Sequence, residues 1–443
     1  MATKKDLVEA QSFSRRRLTT AFVSGAPGGR EVEPDRPLRA VVGGLALSVV
    51  LVLGSLAFGW LRSALPDDWQ NERLVIAEDS GARYVSVEGV LHPVVNTVSA
   101  RLLIPSAQFK VVAVPDDELT DIDRGPTLGI VGAPDSLAPR DRLVDTGWLS
   151  CLSAGEQVST AIGPGRTGRP ADGSAVLVRS GDATFVVAGG LRYPVAARDL
   201  SAVSVALRLD GRPALPAPAS WLNLFPEGPA LAPLVVDDLG TPAAGLPAGA
   251  TVGSVLRLES DGRHYLVTPR GDLEPLPDVA LSMYRLGSGA SSSEIPVEAA
   301  QIARLEVRPQ RIAPPEWPDR LPTGLETTPC ATLTAAAGAP PEVGLTTVTD
   351  DPPAAERGRT TVDTGYGALV RAVSGQVLGK GPVLAVDQTA TAYAVDGADT
   401  EVLARLGYEP DDVVPVPQAW TELFRSGPSL GTAAARTVVS GGS

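Results

Sequence analysis

The chain has 443 residues, a formal net charge of −13, 46 Gly and 40 Pro, but only two Cys, two His and two Met. Hydrophobic residues make up 44% of it. That is enough to fill cores built on Val, Leu and Ala, so a wholly disordered chain is excluded and the length calls for two or three packed units. The acidic total excludes a nucleic-acid binder, which needs a basic footprint, and two histidines leave little for a His-based metal site.

The charge is uneven along the chain. Residues 1–39 carry eight Lys/Arg against five acids, net +3, and the remainder carries net −16. Within that basic segment, residues 7–23 set Phe13, Leu18 and Phe22 around Arg15, Arg16 and Arg17. This predicts an amphipathic helix on the cytoplasmic side, either a plain topological flank or a contact for a partner or anionic lipid. Residues 40–61 then form an uncharged run of 22 residues, AVVGGLALSVVLVLGSLAFGWL, with Trp60 near its outer end. As a helix the run spans about 33 Å, against a hydrocarbon core of roughly 30 Å. It is too long for the apolar region of a signal peptide, and no A-x-A cleavage site follows it. The basic flank orients the N-terminus to the cytoplasm, so the reading is a single-pass anchor in the cell membrane with residues 62–443 outside it.

Cys151 and Cys330, the only thiols, both fall in that outer region, 179 residues apart. In an oxidising compartment a lone pair reads as one long-range disulfide; two separate buried thiols are the alternative.

Internal similarity organises the outer region. Residues 74–94, LVIAEDSGARYVSVEGVLHPV, read as a strand, a turn, a second strand and a Pro-Val end. Residues 176–195 repeat this, Phe185 answering Tyr84, Gly190 answering Gly89, and Pro194 answering Pro93. A third copy over 255–276 carries Tyr265, Gly271 and Pro275, and a fourth from 383 carries Tyr393 but diverges before the proline. Alternation on both arms of a D/S-G turn is a hairpin signature, and helix-like spacing follows each hairpin. A second repeat matches Trp221-Leu-Asn-Leu-Phe-Pro-Glu-Gly-Pro-Ala-Leu231 with Trp420-Thr-Glu-Leu-Phe-Arg-Ser-Gly-Pro-Ser-Leu430, 199 residues apart.

The predicted fold is therefore α+β and β-rich: one N-terminal transmembrane helix, then an elongated pseudo-two-fold ectodomain of four small β-hairpin/helix modules around a central β domain. Residues 1–39 are expected to be cytoplasmic and 40–61 transmembrane. The first module is expected over 62–105, a first stretch of the central domain over 106–173, and the second module over 174–235. There follow 250–286 as the third module, 287–380 as a connector with the remaining stretch of the central domain, 381–430 as the fourth module, and 431–443 as a disordered tail. The run 287–293, GSGASSS, is expected as a flexible connector.

Several motifs invite catalytic readings. Asp145-Thr146-Gly147 and Asp363-Thr364-Gly365 would suit a two-fold aspartic protease, but Trp148 and Tyr366 stand where a small hydroxyl residue supports such a site, and D-T-G is also turn chemistry. Residues 375–381, GQVLGKG, approach a phosphate-binding loop but are one residue short and lack its Ser/Thr. Asp121-Ile-Asp123-Arg-Gly125 opens like a calcium loop without the distal Glu. His92 and His264 sit at unrelated module positions. No catalytic, cofactor or metal residues are assigned.

Taken together, these residues resemble EccB, the single-pass membrane component of actinobacterial type VII (ESX) secretion systems. The likeness runs over nearly the whole chain: Phe13 with Arg15–Arg17, the single span, Pro93-Val94-x-Asn96-x-x-Ser99-Ala100-Arg101-Leu102, Arg124-Gly125-Pro126, Gly132-Ala133-Pro134-Asp135, the two cysteines and the terminal W-x2-L-F-x2-G-P. It implies a structural subunit that oligomerises and assembles with an EccC-like ATPase, an EccD-like channel and an EccE-like subunit. Some members carry an ATPase label, although no residues here supply that site. The alternatives are a cell-envelope binding module, because small β-repeats grip wall polymers, and the extracytoplasmic ATPase of that label.

Overall fold

A computed structural model describes residues 3–24, 37–60, 65–153, 156–292, 294–309, 311–348, 356–375 and 377–439. The chain divides into two compact units, Met1–Leu65 and Pro66–Ser443.

The first unit contains the helices Lys4–Ser24 and Pro37–Trp60. The former begins at Thr3, whose backbone N–H and hydroxyl both donate to Asp6 Oδ2 at 2.9 and 2.7 Å, the reciprocal arm of a capping box. Phe13, Leu18 and Phe22 are exposed on it, as are Arg15, Arg16 and Arg17. Among the described residues, no helix is long and apolar enough to cross a membrane. The side chains described in Pro37–Trp60 run unbroken only over 40–55. Arg30, Arg36 and the side chain of Trp60 lie outside the described residues.

The second unit holds four modules of one topology. In the first, Leu74–Ala77, Arg83–Val87 and Val90–Pro93 form an antiparallel meander; the helix Thr97–Leu103 follows, and Val111–Val114 returns parallel to the first strand. The second uses Ser174–Ser180, Ala183–Ala188, Leu191–Val195, the helix Leu200–Ala206 and Leu215–Pro216. The third uses Val255–Leu258, His264–Val267, Leu273–Pro275, the helix Asp278–Leu286 and Glu294–Val297. The fourth uses Ala368–Val373, Val383–Val386, Thr391–Val395, the helix Thr400–Leu406 and Val414–Pro417. In each, a later segment also pairs in parallel at the third strand, through Arg124 and Leu128, Glu227, Val307, and then Arg425 and Leu430.

Local chemistry explains the repetition. Glu88 and Gly89 have φ of 49° and 79°, and Gly189 and Gly190 have 55° and 82°. Two consecutive left-handed residues make the type I′ turn whose twist suits a hairpin. The helices of the first and fourth modules are capped by side chains: Asn96 Oδ1 accepts from Ser99 N at 2.9 Å, and Asp399 Oδ1 from Val402 N at 2.8 Å.

The central sheet has the order Thr360–Val362, Gln157–Ile162, Thr146–Ser153, Thr328–Thr334, Glu342–Val348, Arg169–Pro170. Its middle strands, Thr146–Ser153 and Thr328–Thr334, pair antiparallel although they lie far apart in the sequence. The modules do not pair in chain order. One core joins Tyr193 and Leu207 of the second module to Val279 and Met283 of the third. Another joins Val98 and Leu102 of the first to Tyr393, Leu403 and Leu406 of the fourth.

The structure corrects several expected boundaries. Residues 111–128 complete the first module instead of opening the central domain. The third module continues to Val307, and residues 287–292 form a turn held by hydrogen bonds such as Ser288 N to Leu234 O at 3.0 Å. The fourth module begins at Ala368, so the repeat seen from 383 starts on its second strand. Tyr393 therefore lies on the third strand, level with Tyr193, and does not answer Tyr84, Phe185 and Tyr265. The expected disordered tail folds at least to residue 439: Thr432–Ala435 is helical and Ala435 is fully buried. Ser293 and residues 440–443 lie outside the described residues.

Candidate functional site

The side chains that join the elements of the second unit gather on the central sheet. Cys151 and Cys330 stand directly opposite in register, their Cα atoms 4.0 Å apart, and form a disulfide. Both are buried. Close by, three tryptophans converge. Trp221 Nε1 donates to Ser150 O at 2.9 Å, Trp420 Nε1 to Leu224 O at 3.3 Å, and Trp148 Nε1 to Val144 O at 3.2 Å. The indoles are fully or almost fully buried, and burying such a ring requires a partner for its N–H, which each of these has. Trp148 packs edge-on against Trp420, centroids 6.3 Å apart, and against Phe424 at 5.6 Å. The two W-x2-L-F copies thus meet each other, through the Trp420–Leu224 bond, as well as the sheet.

The rest of that motif has its own use. Gly228 and Gly427 lie against the rings of Tyr193 and Tyr393, where a Cβ would come within 2.8 and 2.3 Å of ring carbons. Leu231 and Leu430 close the motif in the buried cores. Sequence reasoning does not single out Tyr193 or Trp148 as joint residues. The signal for Tyr193 is present, since it stands 200 residues before Tyr393, but the hairpin alignment matches Tyr393 to a different strand.

The repeated hairpin residues form cross-strand pairs: Tyr84 opposite Pro93, Phe185 opposite Pro194, and Tyr265 opposite Pro275. In the fourth module the pair is Leu384 opposite Ala394. Arginine planes cover two of the rings, Arg124 over Tyr84 at 4.3 Å and Arg192 over Phe185 at 5.9 Å. The proline carbonyls accept the next segment, Leu128 N to Pro93 O at 2.8 Å and Leu231 N to Pro194 O at 2.9 Å. Proline serves there because its missing N–H is not called on. Gly89, Gly190 and Gly271 all take positive φ at their turns.

None of the catalytic readings assembles. Asp145 is exposed, while Asp363 Oδ1 is held by Arg166 at 2.8 Å, with Glu356 on the same guanidinium. That pairing raises the Arg166 pKa, the Asp363 hydrogen bond first among its causes. An aspartate neutralised by arginine does not share a proton with a second one. Residues 375–381 link two antiparallel strands, Ala368–Val373 and Val383–Val386, whereas a phosphate-cradling loop leads from a strand into a helix. Asp123 gives its carbonyl to Leu91 N at 2.9 Å, within the first module. His92 Nδ1 lies 3.1 Å from Pro126 O, and His264 faces Glu294 at 3.4 Å. Among the described residues, no three His, Cys, Asp or Glu side chains are grouped to hold a metal.

Two titrating groups mark the cores. Burial pushes the Tyr193 phenol up to about 12, helped by Glu316; its hydroxyl donates to Glu316 O at 2.5 Å. Burial likewise raises Glu274, and the neighbouring Asp272 carboxylate adds to the shift. Asp272 itself is buried and ion-paired with Arg308.

Comparison with known proteins gives a consistent picture. The family model described as "Type VII secretion system ESX-1, transport TM domain B" matches residues 1–441. The chain is similar to the "ESX-3 secretion system ATPase EccB3" of Mycobacterium tuberculosis (strain ATCC 25618 / H37Rv), 30% identical over 451 residues, covering 89% of this chain and 82% of that one. It is also 27% identical to the "ESX-1 secretion system ATPase EccB1" of Mycolicibacterium smegmatis (strain MKD8), over 72% of this chain and 68% of that one. Among solved structures, a chain of the "EccB3 dimer from the ESX-3 core complex" aligns with a TM-score of 0.66 and 26% identity, covering 82% of this chain and 99% of that chain. A chain of the "intact ESX-5 inner membrane complex" aligns with a TM-score of 0.67 over 100% of this chain and 96% of that one, at 22% identity, a likeness of fold.

Proposed function

The chain belongs to the EccB family of type VII secretion systems, and from that premise we propose that its ectodomain is a rigid scaffold within the ESX membrane complex. The protein is a component of that inner membrane complex and works beside the other ESX subunits. The observation that supports a scaffold is the joint on the central sheet. Two repeated Trp motifs, a buried disulfide and two shared cores fix four small modules to one another and to the central sheet.

The finer topology belongs to the same proposal. Residues 40–61 cross the membrane once, with the N-terminus cytoplasmic and the second unit outside. Support comes from the 22 uncharged residues, the helical backbone of Pro37–Trp60, the exposure of its described side chains and the net +3 of the preceding segment. The helix Lys4–Ser24, with Phe13 and Arg15–Arg17 exposed, is then the cytoplasmic contact. Self-association as a dimer is supported by the similarity to the EccB3 dimer chain.

The test is affinity purification of the tagged full-length protein from membranes in mild detergent, followed by sizing and mass spectrometry. Recovery in a large particle with an ATPase and a multi-span subunit is the expected result. A lone species that retains wall polymer instead would overturn the scaffold in favour of an envelope-binding module. Phosphate release by the purified second unit, absent from a boiled control, would require a nucleotide site that the 375–381 hairpin does not provide.

A further inference from the structure

The C-terminal segment has an unexpected place. Residue 430 ends the fourth module, yet the chain does not leave the molecule there. The helix Thr432–Ala435 packs on the first module's helix Thr97–Leu103, with Ala435 fully buried in the core that joins the first and fourth modules. Beyond it, Val438 pairs antiparallel with Leu128. Gly129 N donates to Thr437 O at 3.2 Å and Val439 N to Thr127 O at 2.8 Å. Leu128 is the same residue whose N–H reaches Pro93 O and whose carbonyl accepts from Val95 N at 3.2 Å. The last described residues therefore lie along the outer side of the first module's sheet, against a segment that would otherwise be its edge.

We propose that residues 431–439 are a strap that holds the first module in one orientation against the fourth. The two modules already share a buried core through Val98, Leu102, Leu403 and Leu406, and polar contacts line its rim. Ser106 donates to Glu401, through its N–H at 3.2 Å and its hydroxyl at 3.0 Å, and Arg405 Nη1 donates to Leu102 O at 2.7 Å. Glu401 is half-exposed, and such contacts contribute little on their own. The strap extends the shared core with a further buried anchor at Ala435 and adds a short backbone ladder beside it. The second and third modules have a counterpart: the segment after Val307 buries Ala313 and Trp317 in their shared core, and its Thr323–Gly324 pairs with Ser174–Ala175 of the second module. The first module directly follows the proposed membrane span in the chain, so the functional consequence rests on that topology: the strap makes the module joined to the span move with the rest of the ectodomain. The strap itself is a statement about the second unit alone.

The test is hydrogen exchange with mass spectrometry on the full-length protein in detergent. Three chains are compared: the parent, a truncation after residue 430, and Ala435→Asp, which keeps the length and removes the anchor. Both variants should exchange at least about tenfold faster over 97–104 and 111–131, while 146–162 and 328–348 keep the parent's protection. A synthetic peptide of residues 431–443 should restore protection to the truncated chain. Unchanged exchange over 97–131 would falsify the strap. Faster exchange everywhere would also overturn it, by making the segment an element of the general fold. Failure of the membrane topology would show separately, as protease access to the second unit from the cytoplasmic side.

Discussion

Trp148 sits where the two Trp motifs meet the central sheet, between Trp420 and Phe424 and with its N–H satisfied by Val144 O. Removing that ring leaves a cavity in a core shared by the sheet and both motifs. Trp148→Ala is expected to lower unfolding free energy by about 3–5 kcal/mol, read from denaturant melts of the second unit. Tyr193 gives a pH signature. Its folded pKa is raised above the ordinary value of 10.0, to about 12. The protonated phenol is thus the form the fold favours. Its stabilisation is complete below pH 10 and is lost as pH rises through about 12. Alkaline melts should show that loss, and Tyr193→Phe should diminish it; an unchanged alkaline limb would place the sensitivity elsewhere. The same sign holds for Glu274, whose raised pKa makes its contribution present at acid pH and lost as pH rises.

At the scale of elements, the turns separate backbone strain from packing. Gly89 and Gly190 both close type I′ hairpins at φ of 79° and 82°. A Cβ on Gly89 meets nothing within 4 Å, but on Gly190 it would stand 2.1 Å from Val343 O of the central sheet. Gly89→Ala should therefore cost only the left-handed conformation, about 1 kcal/mol, and Gly190→Ala distinctly more, because a backbone atom has to give way. Equal losses in paired melts would mean that the second module does not press on the sheet as described. The disulfide acts on a larger element. It links the middle strands of the central sheet across a separation of 179 residues. Cys151→Ser with Cys330→Ser is expected to cost about 2–5 kcal/mol. Because both sulfurs are buried, reductant should act on the folded protein only slowly, and a melt recorded promptly after its addition should match the untreated one.

At the scale of the whole molecule, the pairing of modules across the sequence has a direct consequence. The first module shares its core with the fourth, and the second with the third. A fragment ending near residue 250 would carry two modules whose apolar faces both lack partners. Such a fragment is expected to aggregate or remain partly unfolded, as measured by sedimentation and near-UV circular dichroism. Co-expression with the remaining residues should rescue it. A soluble, cooperatively folded half would contradict the observed pairing. The same pairing ties the four modules and the central sheet into one mechanical body, which is the property a scaffold in a membrane complex requires.

Much of this protein is legible in the amino acids because the information is local or repeated. The alternation and D/S-G turns announce the hairpins, the aromatic and proline of each of the first three copies are cross-strand partners, and the two W-x2-L-F-x2-G-P copies mark the joint. The only two cysteines of the chain announce one bridge. Beyond that bridge and the repeated Trp motif, the sequence does not say which distant segments meet. A returning strand such as Leu215–Pro216 is two residues long and carries no periodicity to read. The fourth module has Leu384 and Ala394 where the others pair an aromatic with a proline, so its register reads one strand out until the pairing is seen. The Gly- and Ala-rich C-terminus looks like a tail because small residues give no hydrophobic pattern, yet smallness is what lets Ala435 fit against the first module's helix. Local sequence determined the modules, since turn geometry and strand alternation act between near neighbours. Only the tertiary structure decided their partners, because shared cores form between surfaces that sequence order does not place together.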